Sequence, residues 1–250
     1  LMVLLMVITI AYLPLVLPVG TETRPPDGVG GTNAMTYVYS QGQDDPATKE
    51  LRGFGRVEAR DAVSVSAITE FHQDLYRKGR AFRTEVRDAE GNPWSKVERT
   101  WSASTPYPGL DCYFTHLDQT DTVDYDGDAT YRQSRTRQTY DAYGNVSAAY
   151  SDGEVSVAGD ERAVTTTYTG NTTNWIVGTP SIVRTYDASG VVVAQTRLYY
   201  DGAGDLAAAP LKGNLTTTES WLDRDASGTV NRWNAKKDMG FVPLRPERVV

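Results

Sequence analysis

Short runs of alternating apolar and polar residues, separated by glycine- and proline-rich turns, dominate the chain. Residues 81–87 and 95–101 alternate with a period of two, which is the side-chain period of a β-strand. These runs are rich in β-branched and aromatic side chains, which favour the pleated surface of a sheet. Further strands are predicted at residues 36–39, 113–123, 131–140, 164–168, 182–186, 195–200 and 213–219. The pattern therefore predicts an all-β fold in which helix is scarce.

Residues 131–140 form a predicted strand that is polar on both sides. Gln, Arg, Ser and Thr occupy both sets of alternating positions, so neither face could seal an oily sandwich core. Such a sheet is stabilised mainly by its backbone ladders and by cross-strand side-chain pairs, each worth about 0.2–1 kcal/mol. We therefore expect an extended or hollow sheet rather than a compact barrel. Gly53 and Gly55 lie inside another strand pattern and predict a bulge or a close backbone approach.

An Asp-x-x-Gly unit recurs between the predicted strands, most clearly within residues 139–146, Thr-Tyr-Asp-Ala-Tyr-Gly-Asn-Val. In a hairpin loop built on a type I turn, the Asp accepts hydrogen bonds from backbone amides two residues on. The Gly at the fourth position adopts a positive φ without a Cβ clash. The predicted structural turn residues are Asp88, Gly91, Tyr140, Asp141, Gly144, Tyr186, Asp187, Gly190, Asp225 and Gly228. Four copies of one hairpin device argue for a repetitive β architecture of consecutive antiparallel hairpins.

Composition narrows the class of partner. The chain has 250 residues, 40% of them hydrophobic, and a formal net charge of −7, which argues against a nucleic-acid partner because phosphate binding needs a concentrated basic face. The densest basic cluster, residues 77–80, reads as a solvated turn in preference to an anion site. The single cysteine, Cys112, cannot form an internal disulfide and is expected to be buried and inert.

Four segments are predicted along the chain. Residues 1–20 are an apolar lead, expected to be a strand or the remnant of an upstream segment, with a membrane anchor or targeting segment as the alternative. Residues 21–130 form a β-rich segment, and residues 131–234 carry the repeated hairpins. Residues 235–250, which contain two prolines, are predicted to be an irregular tail, either frayed or truncated.

The repeats resemble those of Rhs/YD-repeat proteins. Residues 139–146 look like a YD repeat, and residues 185–190, Thr-Tyr-Asp-Ala-Ser-Gly, resemble a second copy. Residues 51–57, Leu-Arg-Gly-Phe-Gly-Arg-Val, are similar to the segment just ahead of the YD repeats in B components of bacterial insecticidal toxin complexes and in SpvB-like proteins. The Phe-His-Gln-Asp at residues 71–74 and the Lys-Gly-Arg at residues 78–80 continue that similarity. The resemblance covers residues 13–223.

This resemblance implies an extended, curved sheet that forms part of a hollow β-shell around a toxic polypeptide. The chain would be a non-enzymatic structural segment, secreted or on the bacterial cell surface, with no cofactor and no membrane or nucleic-acid partner. Its expected partners are the remainder of a larger Rhs-type polypeptide and the enclosed toxin domain. The family's self-cleaving aspartate motif and variable toxin domain are not recognised in this sequence. The alternative function is a carbohydrate-binding or adhesive cell-surface module.

The sequence offers only weak candidates for metal-binding, catalytic or sugar-binding residues. Residues 124–128 start like a calcium loop, but the sixth position is Ala129 and the twelfth is Arg135, so the EF-hand template fails. His72 and Asp74 would share one side of a strand, yet the sequence places no nucleophile beside them. His116 is an equally weak candidate for acid–base catalysis. No catalytic, cofactor or metal residue is therefore predicted, although a carboxylate pair is left open. Exposed Trp94, Trp101 and Trp175 could stack on sugars, but cross-strand packing is their more ordinary role.

Overall fold

The computed structural model describes residues 5–8, 17–105, 109–110, 112–125, 130–224 and 230–237. These residues form sixteen strands and no helix, so the predicted all-β class is confirmed. The strands are β1 Leu5–Ile8, β2 Leu17–Gly20, β3 Glu22–Thr23, β4 Met35–Asp45, β5 Glu50–Arg60, β6 Ser66–Phe71, β7 Ala81–Arg87, β8 Pro93–Ser104, β9 Phe114–Tyr125, β10 Tyr131–Tyr140, β11 Val146–Glu154, β12 Arg162–Asn171, β13 Ile176–Tyr186, β14 Val192–Tyr200, β15 Leu215–Arg224 and β16 Val230–Lys237. No helix in the described ranges is long and apolar enough to cross a membrane.

The strands pair antiparallel in sequence order within two compact units. The first unit comprises Leu1–Arg137 with Glu154–Ser156, and the second comprises Gln138–Gly153 with Val157–Val250. In the first unit, β3 to β10 follow one another across the sheet, while β1 and β2 pair separately. In the second unit, β11 to β16 follow one another in the same way. Consecutive antiparallel hairpins are confirmed, and within each unit the first and last of these strands do not pair with each other.

The two faces of the first unit's sheet differ in chemistry. Alternate residues of β5 and β7 spell the same pattern, Arg-x-Glu-x-Arg, at residues 56–60 and 83–87. Successive strand registers place Arg56, Glu70, Arg83, Glu98, Asp121 and Arg135 in one cross-strand row. The opposite face carries small or β-branched residues in register, namely Val57, Thr69, Thr84, Val97, Thr122 and Ser134. One face is therefore charged and the other is mainly aliphatic and hydroxylic, a difference that the polar strand β10 did not indicate.

Three well-buried side chains of this sheet lie on its charged face. Ile68 and Val123 are 8% and 6% exposed, and Glu85 is 8% exposed. All three belong to the row next to the arginine row. Long Arg and Glu side chains cover apolar neighbours with their aliphatic stems while their charged ends reach water or each other. The nitrogens of Arg83 and Arg87 lie 2.7 and 2.8 Å from the Glu85 carboxylate. Ion-paired Arg and Glu side chains on this face thus shield their apolar neighbours from water, as a second sheet does in a β-sandwich.

The predicted glycine irregularity in β5 is a bulge. Gly53 has φ 82° and faces Gln43, where the register between β4 and β5 shifts. The amide nitrogen of the Gln73 side chain donates to the backbone carbonyls of Gln41 and Gly53 at 2.7 and 2.9 Å. A Cβ on Gly55 would lie 2.7 Å from the Gln73 side-chain oxygen, so this position requires glycine for close approach.

Candidate functional site: repeated aspartate turns and the loops opposite

The turn between β10 and β11 shows the complete geometry of the repeated unit. The Gly144 amide donates to the Asp141 carbonyl at 3.1 Å, and the Asp141 amide donates to the Asn145 carbonyl at 2.9 Å. The amides of Tyr143 and Asn145 both donate to Asp141 Oδ1 at 2.9 Å. Gly144 has φ 86°, a left-handed conformation that glycine adopts without a steric penalty. One carboxylate therefore organises the backbone of the whole turn.

Two further predicted turns adopt the same arrangement. Asp88 receives the Asn92 amide at 2.7 Å on Oδ1, and Gly91 has φ 91°. Asp187 Oδ1 accepts the amides of Ser189 and Val191 at 3.0 and 2.9 Å, and Gly190 has φ 75°. The fourth predicted turn, with Asp225 and Gly228, lies outside the described residues.

Two more turns have this geometry: the turn at Asp61, which the sequence pattern did not reveal, and the turn at Asp27, a predicted reversal that was not counted among the repeats although Gly30 stands at its fourth position. Asp61 Oδ1 accepts the amides of Val63 and Val65 at 3.0 and 2.9 Å, and Ser64 occupies the glycine position with φ 68°. Asp27 Oδ1 accepts the amides of Val29 and Gly31 at 2.9 and 2.8 Å. At residue 61 the fourth position is Ser64 and not glycine, so the Asp-x-x-Gly pattern does not mark this turn. An Asp directly after an alternating strand was the usable signal at residue 61.

The tyrosines of the repeats bond differently at their two sites. The Tyr140 hydroxyl donates to Gln138 Oε1 at 2.7 Å, two residues back along the same strand. The Tyr186 hydroxyl accepts a hydrogen bond of 3.5 Å from Thr165 Oγ1 on the neighbouring strand. A further expectation from the repeat sequence, that Tyr140 packs across strands, stays a prediction.

We expect Ser64→Gly to stabilise the first unit by about 0.5–1 kcal/mol. A residue with a Cβ loses about 1–2 kcal/mol in the left-handed region, and part of the gain is offset by the greater backbone entropy of glycine in the unfolded chain. The reverse change at the equivalent position, Gly91→Ser, should destabilise, and no atom lies within 4 Å of its added Cβ to obscure the backbone effect. Thermal unfolding of both variants gives the signs. Two shifts of the same sign would refute the equivalence of the turns.

Hydrogen bonds lower the pKa values of several turn aspartates. The Asn92 side chain is the main cause of the lowered pKa of Asp88. For Asp141, desolvation raises the pKa, but hydrogen bonds from the Asn145 side chain and from the amides of Asn145 and Tyr143 outweigh it and leave the pKa lowered. These carboxylates are therefore held ionised as turn acceptors. A general acid needs a raised pKa, so they are poorly suited to proton donation near neutral pH.

Asn145 joins its turn to the next hairpin of the second unit. Its side-chain nitrogen donates to Asp141 Oδ2 at 2.9 Å and to the Val177 carbonyl at 2.8 Å. Gly178 lies beside it, where an added Cβ would be 3.2 Å from the Asn145 side-chain oxygen. The turn is consequently connected to β13, which is remote from it in sequence.

Residues 72–80, the loop between β6 and β7, contact the hairpins on either side. Lys78 forms an ion pair with Glu50, and Arg77 Nε lies 3.0 Å from Asp74 Oδ2. The Arg80 guanidinium lies 5.2 Å from the ring centre of Trp101. The three basic residues that formed the densest positive cluster in sequence are thus engaged within the fold, which does not favour an anion site.

Glu50, the ion-pair partner of Lys78, also contacts Arg52, which lies at the centre of a small ion-pair network. The Arg52 side chain is 5% exposed, and its Nη2 lies 2.5 Å from Asp45 Oδ2. Its Nη1 lies 3.4 Å from Glu50 Oε2. The hydrogen bond from Arg52 lowers the pKa of Asp45 to about 2.

We expect this ion pair to add an acid-dependent step to unfolding. A carboxylate whose pKa is depressed in the folded state stabilises that state above its unfolded pKa, which is about 3.9. The stabilisation is lost as pH falls through the folded value of about 2. The melting temperature of the wild-type chain should therefore fall more steeply across this window than that of Asp45→Asn. Parallel curves would show that the pair does not contribute.

Residues typical of hydrolases do meet in the first unit, but in the wrong order. Ser102 and His116 face each other across β8 and β9. His116 Nδ1 lies 2.7 Å from Asp118 Oδ1, and the Ser102 hydroxyl donates to the other oxygen of the same carboxylate. In a catalytic triad, the histidine stands between serine and acid and takes the serine proton. Here the carboxylate holds both partners, which favours a structural hydrogen-bond cluster.

The other candidate groups are also structural in their contacts. His72 Nδ1 lies 3.8 Å from Asp74 Oδ2, and its ring is 4.9 Å from that of Phe82. Desolvation and the charge of Arg77 lower the pKa of His72. Most of residues 124–128, which start like a calcium loop, lies outside the described residues, including Asp126 and Asp128. Within the residues that the structure does describe, no cluster of three His, Cys, Asp or Glu side chains could hold a metal ion.

The three candidate tryptophans have different environments. Trp101 donates its indole N–H to the Ala81 carbonyl at 2.9 Å and lies under Arg80. Trp94 is 50% exposed on β8. Trp175 is 66% exposed at the tip of the hairpin between β12 and β13, has φ 54°, and meets the Tyr143 ring edge-on at 6.3 Å. Trp175 is therefore the most available aromatic surface of the three.

Comparison with solved structures identifies known proteins that share this ladder of consecutive antiparallel strands. The crystal structure of TcdB2-TccC3 matches 87% of the chain with a TM-score of 0.70 at 13% sequence identity. The fold is shared with TcdB2-TccC3. The TcdB2-TccC3-Cdc42 structure matches with a TM-score of 0.68 at 13% identity over 86% of the chain. The Photorhabdus luminescens Tc holotoxin pore matches with a TM-score of 0.67 at 14% identity over 84% of the chain.

The shared fold confirms the predicted resemblance to toxin-complex proteins at the level of the fold. The chain spans 17% of the length of the matched TcdB2-TccC3 chain and 16% of that in the holotoxin pore. No sequence-family model and no curated protein matches it. The turn and strand geometry therefore corresponds to a small part of much larger toxin-complex chains.

Proposed function

We propose that this chain is a non-enzymatic wall segment of a bacterial Rhs/YD-repeat protein, part of a β-shell that encloses or presents a toxin. Residues 131–234 would supply the YD-repeat hairpins, and residues 21–130 the β-rich wall ahead of them. The remainder of a larger Rhs-type polypeptide and its toxin domain would be the partners. The protein would be secreted or displayed on the bacterial surface.

The observation that carries this proposal is the way the strands are stabilised. Within each unit, every strand from β3 onward pairs with its sequence neighbours in that unit, and aspartate turns close many of the hairpins. Among the described residues of 19–221, the fully buried side chains are few, so the sheets do not enclose an oily core of their own. A single layer stabilised by ladders, ion pairs and turns is what a wall requires. The similarity of this chain's fold to that of TcdB2-TccC3 also supports a role as wall segment.

Cryo-electron microscopy of the native polypeptide that contains this chain tests the proposal. The expected result is a closed β-shell in which these strands form wall, with additional polypeptide density inside. Immunoblotting of the source cells with an antibody to this chain should detect a species far larger than 27.5 kDa. A native product of that mass alone, or a compact particle without a cavity, would overturn the proposal.

A second candidate function is carbohydrate binding at Trp175. A bulky residue with positive φ is strained, and Trp175 recovers little burial in return. Neither backbone preference nor packing explains a tryptophan here. Its ring and the edge-on Tyr143 ring would offer a surface for the apolar side of a sugar.

Glycan-array binding by the full chain tests the carbohydrate function. Trp175→Ala and Tyr143→Ala should each lose binding, whereas Trp94→Ala, the exposed tryptophan of the first unit, should retain it. Trp175→Gly should fold with equal or greater stability because it removes the strained side chain. No binding by the wild type would leave only the wall function, and equal loss in Trp94→Ala would overturn the assignment of the site to Trp175.

A further inference from the structure

Two exposed tyrosines of the first unit are stacked with their hydroxyl groups together. The Tyr76 hydroxyl donates to the Tyr113 hydroxyl at 2.8 Å. The ring centres are 3.6 Å apart and the ring planes are inclined by 33°. Because the hydroxyl oxygens are closer than the ring centres, the two rings converge toward their hydroxyl ends. The ortho carbons that flank each hydroxyl therefore lie on the converging side.

Other contacts hold the tyrosine pair in place. The Tyr76 amide donates to Asp74 Oδ1 at 3.1 Å, and the Tyr76 carbonyl accepts the Thr115 hydroxyl at 2.7 Å. Arg77 donates to the Trp101 carbonyl at 3.3 Å, which ties the same loop to β8. The backbone of Tyr76 is thus fixed against the strand that follows Tyr113, and the approach of the rings is built into the fold.

The pair is also open to reagents. Tyr76 and Tyr113 are each 38% exposed. Among the other tyrosine pairs in contact, the ring centres of Tyr125 and Tyr131 are 6.0 Å apart, and those of Tyr37 and Tyr39 are 6.5 Å apart. Tyr76 and Tyr113 therefore combine accessibility with the shortest separation of these three pairs.

From this geometry we propose that Tyr76 and Tyr113 form a site of oxidative cross-linking, where a peroxide-dependent peroxidase joins them as dityrosine. The peroxidase removes one hydrogen atom from each phenol, and the two electrons and two protons reduce one hydrogen peroxide to two waters. The two phenoxyl radicals couple through a new bond between ortho carbons. The ortho hydrogens then return to the oxygens as protons, which restores both aromatic phenols. The net loss from the protein is two hydrogens.

The product would be a covalent link between distant parts of one sheet. Tyr76 lies in the loop between β6 and β7, whereas Tyr113 directly precedes β9, so the bond encloses β7 and β8. Closing a chain loop restricts the unfolded state, as a disulfide does. The lone Cys112 offers no internal disulfide for this purpose. The cross-link would raise the melting temperature of the first unit.

Peroxidase treatment of the dilute full chain tests the inference, with dityrosine fluorescence and mass spectrometry of the digest as readouts. We expect a Tyr76–Tyr113 peptide pair lighter by two hydrogens, at a yield at least about tenfold above that of a Tyr125–Tyr131 link, because the reacting rings are pre-aligned. Tyr76→Phe and Tyr113→Phe should each lose this product, since phenylalanine keeps the ring but lacks the phenol. Circular dichroism of both variants checks that they fold.

Several outcomes would overturn the inference. One is a similar yield of the Tyr76–Tyr113 and Tyr125–Tyr131 links, which would mean that exposure alone governs the reaction. Another is cross-linking only between separate molecules, seen as dimers on a denaturing gel. Undiminished dityrosine fluorescence in folded Tyr76→Phe would place the reactive tyrosines elsewhere.

Discussion

Asp201→Ala is expected to release the loop of residues 201–214 in the second unit. Asp201 Oδ2 accepts the amides of Leu211, Lys212 and Gly213 at 2.7, 2.8 and 3.1 Å. Its Oδ1 accepts the Asn214 amide at 3.0 Å. A hydrogen bond to a charged acceptor contributes about 1.5–3 kcal/mol. Because water can replace part of the lost bonding at this surface, we expect a total loss of about 2–3 kcal/mol in the free energy of local opening.

The same loop covers the tip of the β12–β13 hairpin, so its release has a wider effect. Pro210 is fully buried, and its carbonyl accepts the Asn171 side-chain amide at 3.0 Å. The Leu211 carbonyl accepts the Asn174 side-chain amide at 3.1 Å. Opening of the loop would break these contacts and expose Pro210. Hydrogen exchange should therefore rise both in the loop and at the hairpin tip.

Hydrogen exchange and limited proteolysis of the full chain measure this effect. The matched control is Asp205→Ala in the same loop, where Asp205 Oδ1 accepts one nearby amide, that of Ala207, at 2.9 Å. Acid should mimic Asp201→Ala, since backbone hydrogen bonds, chiefly from Lys212, lower the pKa of Asp201. Its contribution is present above the unfolded pKa and is lost as pH falls through the folded value. Unchanged exchange in Asp201→Ala would contradict the proposed role of the carboxylate.

Asp141→Ala should destabilise the second unit more than Asp187→Ala does. Both residues accept two amides of their own turn, but Asp141 also orients Asn145, whose side chain bonds the Val177 carbonyl. Loss of Asp141 therefore weakens a local turn and a contact with β13. We expect about 2–3 kcal/mol for Asp141→Ala and about 1 kcal/mol less for Asp187→Ala.

A double-mutant cycle separates the two parts of this effect. Asp141→Ala, Asn145→Ala and their combination are compared by chemical denaturation of the full chain. If Asp141 acts partly through Asn145, the double variant should lose less stability than the sum of the single losses, by at least about 0.5 kcal/mol. Additive losses, or equal effects of Asp141→Ala and Asp187→Ala, would show that Asp141 stabilises its own turn alone.

The strands and many of the turns could be predicted because their causes are local. Alternation with a period of two locates β7, β8 and β10, and an Asp followed by a glycine three residues on marks the turns at 88, 141 and 187. The turn at Asp61 escaped because Ser64 tolerates a conformation usually left to glycine. The resemblance of residues 139–146 to a YD repeat correctly predicted the fold that this chain shares with TcdB2-TccC3.

Contacts between distant segments could be known only from the tertiary structure. Strand registers decided that the Arg-x-Glu-x-Arg patterns of β5 and β7 lie on one face and interlock through Glu70. A loop closure brought the Asp201 carboxylate to amides more than nine residues away. The pairing of Tyr76 with Tyr113 likewise joins positions 37 residues apart. Local preference determines each hairpin, whereas register and loop closure, which depend on the whole sheet, determine what each side chain meets.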